Sequence, residues 1–406
     1  MDDVMDMAAH YKLDKNGLPF EVRRASEPFS MGDLGNLVCV ICRSSFRSIS
    51  RYSRIMRRAM LDEATRKLVT WSRANYIALT DRLLTDQKKL EKAPATKTTL
   101  PVRPKGIRTR RGGQIYQLEN LQKIAGKSRY GSLIQTWHTI NSYVNKVRKV
   151  EQPLQQVSDL VKYSNLQHST EETFPHNEAV IQYKERILAV KLRLQCNILI
   201  LSDFIELGNG AARNQTKFEI DLSAHLLDSE YLIELAHKYM HPKEVVQGHI
   251  FAAQLYGFSR LFASCAPLHT SYKERATTNS AVLKKTGLFR LAQAREILEK
   301  YPFTSFLEAE IDAVENMLNG SVYRRVTTKE LKAANNAMAG EFSKTGHWHI
   351  CQNGHIFTIS DCEIPTEQAI CPECTAPIRG QNQQAEEGMK HTVDKEIAGE
   401  IDRLVI

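Results

Sequence analysis

Four of the chain's eight cysteines fall within 24 residues, from Cys351 to Cys374, interleaved with or preceded by His347, His349 and His355. Thiolate sulfur and imidazole nitrogen are the ligands of a tetrahedral zinc site, which two short turns carrying two ligands each are enough to close. Cys371-Pro-Glu-Cys374 is one such turn. Cys351-Gln-Asn-Gly-His355 is the other, and Gly354 is free to take the backbone conformation a tight turn demands. A 16-residue step from His355 to Cys371 separates them. The expected ligands of one Zn2+ are therefore Cys351, His355, Cys371 and Cys374. Cys362 is a fifth donor for four positions, and a rival set takes it and releases His355. The first set gives every ligand a partner within one turn. Left outside the metal, the Cys362 thiol is either a nucleophile in its thiolate form or a small packing hydrophobe.

Other constellations are weaker. Cys39-Val-Ile-Cys42 is half a metal site with no cysteine upstream, and reads as two reduced thiols in a turn. His237 and His241 have the spacing of one helical face, but His237-Lys-Tyr-Met-His241 lacks the glutamate of H-E-x-x-H, which excludes a metalloprotease. Cys196 and Cys265 read as core cysteines, and Trp71, Trp137 and Trp348 as packing residues. No G-x-x-x-x-G-K-[ST] phosphate loop and no Ser-His-Asp spacing occurs.

The cysteine-rich stretch, with its Gly-His-Trp-His opening and its Cys-x-Asn-Gly-His and Cys-Pro-x-Cys cores, resembles the RZ-type zinc finger. That family occurs in mysterin-type giant ubiquitin ligases and in helicase-containing zinc-finger proteins of RNA silencing and innate immunity. The resemblance implies Cys351, His355, Cys371 and Cys374 as zinc ligands. It places Cys362 at the cysteine implicated in accepting ubiquitin. Departures fall at Glu363 and Thr375, where glycines are usual, at Arg379, and at Gln383, where many members carry a histidine. A glutamine accepts and donates hydrogen bonds but is no base near neutral pH. Farther upstream, the segment from Cys39 through Arg58 is similar to fungal homologues that carry an RNA helicase ahead of such a finger.

These residues need a scaffold, and the sequence predicts a mainly α fold: a multi-helix bundle with long helices plus a small, zinc-stabilised, β-rich finger. The expected divisions are a lead-in over 1–46, a long basic helix over 47–92, a basic Pro/Gly linker over 93–117, a helical domain over 118–340, the finger over 341–380 and a polar tail over 381–406. Met56 and Met60, with Ile49 and Tyr52, have helical spacing. Ile187, Val190, Leu194, Ile198, Leu201 and Ile205 form the clearest core seam. Breaks near Glu171–Pro175, Gly208–Gln215, Pro242, Pro267–Thr270, Pro302 and Gly320 cut the helical region into six or seven helices.

The net charge of +9 is concentrated: between Arg43 and Arg111 stand 19 Lys or Arg against five Asp or Glu. Arg47, Arg51, Arg54 and Arg58 form a stripe, and Arg108, Arg110 and Arg111 close the linker, a pattern suited to RNA or an acidic protein face. Few cysteines, a polar acidic start and no long apolar run point to a reducing compartment, cytoplasmic with nuclear entry, and to no membrane partner. The leading functional expectation is a zinc-binding regulatory or adaptor protein of RNA-silencing, heterochromatin or innate-defence assemblies. The alternatives are an RZ-type E3 ubiquitin transferase, whose partner is a ubiquitin-conjugating enzyme and whose catalytic residue is Cys362, and an RNA-binding module using residues 43–111.

Overall fold

The computed structural model describes residues 11–22, 53–92, 107–109, 113–167, 182–211, 218–264, 270–320, 346–350, 356–360, 369–370 and 377–378. The fold is mainly α, as expected. The chain divides into two compact units: residues 1–74, 147–185 and 341–406 form one, and residues 75–146 and 186–340 the other.

The second unit holds the core. Its helices are the latter part of α1 (Ser53–Lys92), α2 (Gln114–Ala125), α3 (Lys127–Lys146), α5 (Tyr183–Ala211) from Arg186 onward, α6 (Ser223–Lys238), α7 (Pro242–Ser264), α8 (Thr270–Lys300) and α9 (Glu308–Leu318). The helix α4 (Pro153–Gln167) belongs to the first unit. Most expected breaks lie where helices end: α5 stops at Ala211, α7 starts at Pro242, a 3-10 turn occupies Pro302–Leu307, and Gly320 has φ +101° beyond α9. Two breaks were not anticipated. Gly126 separates α2 from α3 by its φ of +99°, while its amide still donates to the Gln122 carbonyl as the last bond of α2. The second lies at Arg148–Gln152, around the 3-10 turn Lys149–Glu151.

The helix α5 is buried on nearly every side, not along one seam. Beyond the six seam residues, Ala189, Leu192 and Ile200 have no exposed surface. A helix apolar all round belongs at the centre of a bundle. Three of its buried polar residues are matched individually. Lys191 Nζ lies 3.4 Å from Glu244, Asn197 accepts the Trp137 indole N–H at 2.7 Å, and Asp203 takes a two-pronged grip from Arg129 at 2.6 and 2.7 Å.

The helix α7 packs through small residues. A Cβ on Gly248 would lie 2.6 Å from Ile233 Cγ1 of α6, and one on Gly257 would collide with Met317 of α9. Ile233 is β-branched and stiff at χ1, so it cannot swing aside as the end of a methionine can. Gly248→Val should therefore destabilise the chain by about 1–3 kcal/mol in denaturant unfolding, overpacking outweighing the gain in helix propensity. Equal or greater stability would show that α6 and α7 separate freely.

In the first unit, Glu185 accepts from Ser72 Oγ at 2.7 Å and from Arg73 Nε at 3.3 Å, both arms buried. Gln152 and Gln182 clasp each other, with Gln182 N–H donating to Gln152 Oε1 at 2.7 Å and Gln152 Nε2 donating to the Gln182 carbonyl. The expected lead-in contains a hairpin of β1 (Tyr11–Leu13) and β2 (Pro19–Val22), turned by Asp14, whose Oδ1 accepts from Asn16 and Leu18 amides. In the second unit, three residues of the expected linker, Ile107–Thr109 (β3), pair in parallel with Phe218–Ile220 (β4), and α2 starts at Gln114, inside that linker. Met56 is buried as its spacing predicts, whereas Met60 is 45% exposed and does not face the core. The final helix expected from Thr327 lies outside the described residues.

Candidate metal centre

The described part of the finger consists of two antiparallel strand pairs. Gly346–Ile350 (β5) pairs with Ile356–Ser360 (β6) over five couples, ending in Ile350 opposite Ile356. Ala369–Ile370 (β7) pairs with Pro377–Ile378 (β8), with Ile370 opposite Pro377. Couples across an antiparallel pair share a face and alternate sides. His347 and His349, opposite Ile359 and Phe357, therefore have one parity, and Trp348, Ile350, Ile356 and Thr358 the other.

The strands are short, with β-branched or aromatic residues at Trp348, Ile350, Ile356, Phe357, Thr358 and Ile359. Such residues suit a pleated surface, but a unit this small has little apolar core of its own. The expected zinc donors stand directly beside the paired couples. Cys351 follows Ile350 and His355 precedes Ile356, while Cys371 follows Ile370 and Cys374 lies in the same connection. Residues 351–355, 361–368 and 371–376 are outside the described set, so Cys351, His355, Cys362, Cys371 and Cys374 carry no geometry here. The strand pairing nonetheless fits the donor chemistry. Each soft-ligand pair lies in sequence between two strands that pair with one another, and two pairs of soft ligands are what a tetrahedral zinc takes.

The other sequence candidates separate. His237 and His241 do not share a helical face: α6 ends at Lys238, Met240 takes φ +58°, and His241 precedes α7. The His241 amide reaches back to the Ala236 carbonyl at 2.8 Å. His225 and His249 are buried. Among the described residues, no group of three or more His, Cys, Asp or Glu is placed to hold a metal ion. Cys196 is fully buried, as its spacing predicts, and burial pushes its thiol well above the usual range; Cys265 lies outside the described residues. Trp137 is buried, whereas Trp71 is 37% exposed.

Of the basic set, Arg54 and Arg58 fall within α1 and Arg108 in β3, opposite Glu219. Arg47, Arg51, Arg110 and Arg111 lie outside the described residues, as do Cys39 and Cys42. Among the described residues, no helix is long and apolar enough to cross a membrane.

What the sequence reading missed is a set of buried polar fasteners. Asp86 accepts from Ser132 Oγ at 2.7 Å and Thr136 Oγ1 at 2.9 Å, and Asp203 accepts from Tyr130 Oη at 2.7 Å besides Arg129. Burial, then the neighbouring Asp203, raises the Tyr130 phenol well above its ordinary value. A signal was present, because Lys191, Asn197 and Asp203 each stand one or two positions from residues of the apolar seam.

Comparison with known proteins finds a matching family and short stretches of much longer relatives. The model of the RZ type zinc finger domain matches residues 338–391. Human E3 ubiquitin-protein ligase RNF213 is 41% identical over 49 residues, 12% of this chain and 1% of that protein. NFX1-type zinc finger-containing protein 1 is 39% identical in human and 37% in mouse over 59 residues, 14% of this chain and 3% of each relative. The chain thus covers only a few per cent of these relatives' length. No solved structure matches it. Residues 338–391 are an RZ type zinc finger domain, a zinc-binding unit carried by a chain whose remaining described residues are mainly helical.

Proposed function

We propose that this protein is a zinc-binding regulatory or adaptor protein whose RZ type finger engages a protein partner. The observation that carries the reading is the family match over residues 338–391, joined to two strand pairs whose connections contain Cys351 and His355 and then Cys371 and Cys374. In this reading those four side chains hold one zinc ion. The metal does no chemistry on a substrate there; it ties two short hairpins into one rigid surface, supplying stability that their small apolar content cannot.

Cys371→Ser in the full chain should lower bound zinc, by elemental analysis, from about one per chain to near zero while far-ultraviolet dichroism keeps its helical signal. Full retention of zinc would overturn the assignment. Cys362→Ser should keep its zinc. Loss there, with retention in His355→Ala, would establish the rival ligand set instead.

A second reading is favoured by the likeness to a protein named as an E3 ubiquitin-protein ligase. The Cys362 thiolate would attack the carbonyl of a ubiquitin thioester on a conjugating enzyme. A new sulfur–carbon bond forms, and the conjugating enzyme's cysteine leaves as thiolate. A thiol-sensitive ubiquitin adduct should then form on wild type and vanish in Cys362→Ala; no adduct across a panel of conjugating enzymes removes the reading. Gln383 supplies no base for this step. The finer placement in RNA-silencing, heterochromatin or innate-defence assemblies rests on the resemblance of the segment from Cys39 onward, and the cytoplasmic or nuclear placement on composition alone. RNA contact through Arg47, Arg51, Arg54, Arg58, Arg108, Arg110 and Arg111 rests on charge, and steep salt dependence of binding is its test.

A further inference from the structure

The helix α4 presents three large apolar side chains to solvent along a single stripe. Leu160 is 67% exposed, Tyr163 63% and Leu166 78%. Spaced three apart, they form one ridge on the helix surface, neighbours in the sense that i and i+3 are neighbours. The inward side is filled otherwise, with Gln155 and Ser158 buried and Val157 and Val161 half-buried. A contiguous apolar stripe on a helix marks an interaction surface more often than a scattered residue does.

The stripe has a symmetry that selects its partner. It is palindromic about Tyr163: Leu160 stands three residues before it and Leu166 three after. A two-fold contact is self-complementary, each patch meeting its own copy with the chain direction reversed. Laid antiparallel on a second α4 with Tyr163 at the axis, Leu160 meets Leu166 of the other copy, Leu166 meets Leu160, and Tyr163 meets itself. Charge agrees with this register. From Gln156 to Gln167 the helix carries only two charged residues, Asp159 and Lys162. Reversed about Tyr163, Asp159 falls opposite Gln167 and Lys162 opposite Ser164, so no like charges meet. Asp159 is already engaged by Gln155 Nε2 at 2.8 Å, and both charges sit in solvent beside the apolar ridge.

We propose that the Leu160–Tyr163–Leu166 face of α4 is a homodimer contact, formed antiparallel with Tyr163 on the two-fold axis. The stripe offers on the order of 400 Å² per copy, against the roughly 800 Å² per partner of a standard stable interface. The dimer is therefore reversible and concentration-dependent.

Sedimentation of the full chain tests it. The weight-average mass should rise with concentration from the 46.2 kDa monomer toward twice that value. Tyr163→Lys places two ammonium groups at the axis and should weaken association about tenfold or more, about 1.4 kcal/mol or greater. Because Tyr163 is exposed, the helical dichroism should not change. Tyr163→Cys should form a disulfide-linked dimer under mild oxidant faster than wild type or Glu299→Cys, which set the background from native and unrelated cysteines. A chain that stays monomeric, an association untouched by Tyr163→Lys, or a Tyr163→Cys variant that links no faster than Glu299→Cys would each overturn the proposal.

Discussion

Asp203→Ala should cost about 3–5 kcal/mol of stability, read as a lower midpoint in chemical unfolding followed by helical dichroism. The carboxylate has no exposed surface, and it receives three hydrogen bonds from neighbouring residues of α3, two from Arg129 and one from Tyr130. Arg129 is held by the same bonds, its guanidinium raised from its ordinary value chiefly by the hydrogen bond to Asp203. Removing the carboxylate leaves a guanidinium only 8% exposed, and a phenol fully buried, facing a gap. The large effect comes from stranding those groups, not from the net worth of the pair. A second variant separates the two causes. Arg129→Met combined with Asp203→Leu and Tyr130→Phe should recover much of the loss, because an apolar set of similar volume strands nothing. If Asp203→Ala costs less than about 1 kcal/mol, water reaches the site and the clamp is not a closed one.

This clamp shows where sequence reading stops. The apolar run of α5 was legible as a seam because Ile187, Val190, Leu194, Ile198, Leu201 and Ile205 recur at helical spacing. The seam understated the burial, since period reports which face is most apolar and not how many neighbours surround the helix. Partners 74 residues apart in sequence, such as Arg129 and Asp203, follow from packing that no local pattern encodes. The break at Gly126 was missed because a lone glycine inside an apolar pattern is tolerated as often as it stops a helix. The two-strand pairing of Ile107–Thr109 was missed for a related reason: in a run of Pro, Gly and Arg, composition outvotes three residues whose partner lies more than a hundred positions away. The finger was the opposite case. Its cysteine and histidine spacing was enough to match the RZ type family over residues 338–391, and its short strands are present as expected, while the expected ligands lie outside the described residues.

Two buried histidines give the folded state a pH dependence. Gln117 spends its amide N–H on the Asp221 carbonyl, so its Oε1 must accept from His225 Nε2, 2.9 Å away. That fixes the neutral tautomer with the proton on Nε2. His225 Nδ1 is buried and has no hydrogen-bond partner among the described residues, and the same holds for His249 Nδ1. A second proton on either ring would be a buried charge with no acceptor. Burial, followed by Arg193, lowers His225 from 6.5 to about 4, against a smaller opposing pull from Asp221; burial, then Arg290 and His237, lowers His249 to about 4. Both folded values lie below the unfolded one, so the unfolded chain binds more protons in this window. The stability is fully present above about pH 6.5 and is lost as pH falls toward 4, on the order of 3 kcal/mol for each ring. Unfolding midpoints should therefore be flat from pH 7.5 to 6.5 and decline steadily below. His225→Gln with His249→Gln should flatten the decline between pH 6.5 and 4.5, whatever its effect at neutral pH. An unchanged slope in that double variant would assign the acid sensitivity to the carboxylates and leave both imidazoles solvated.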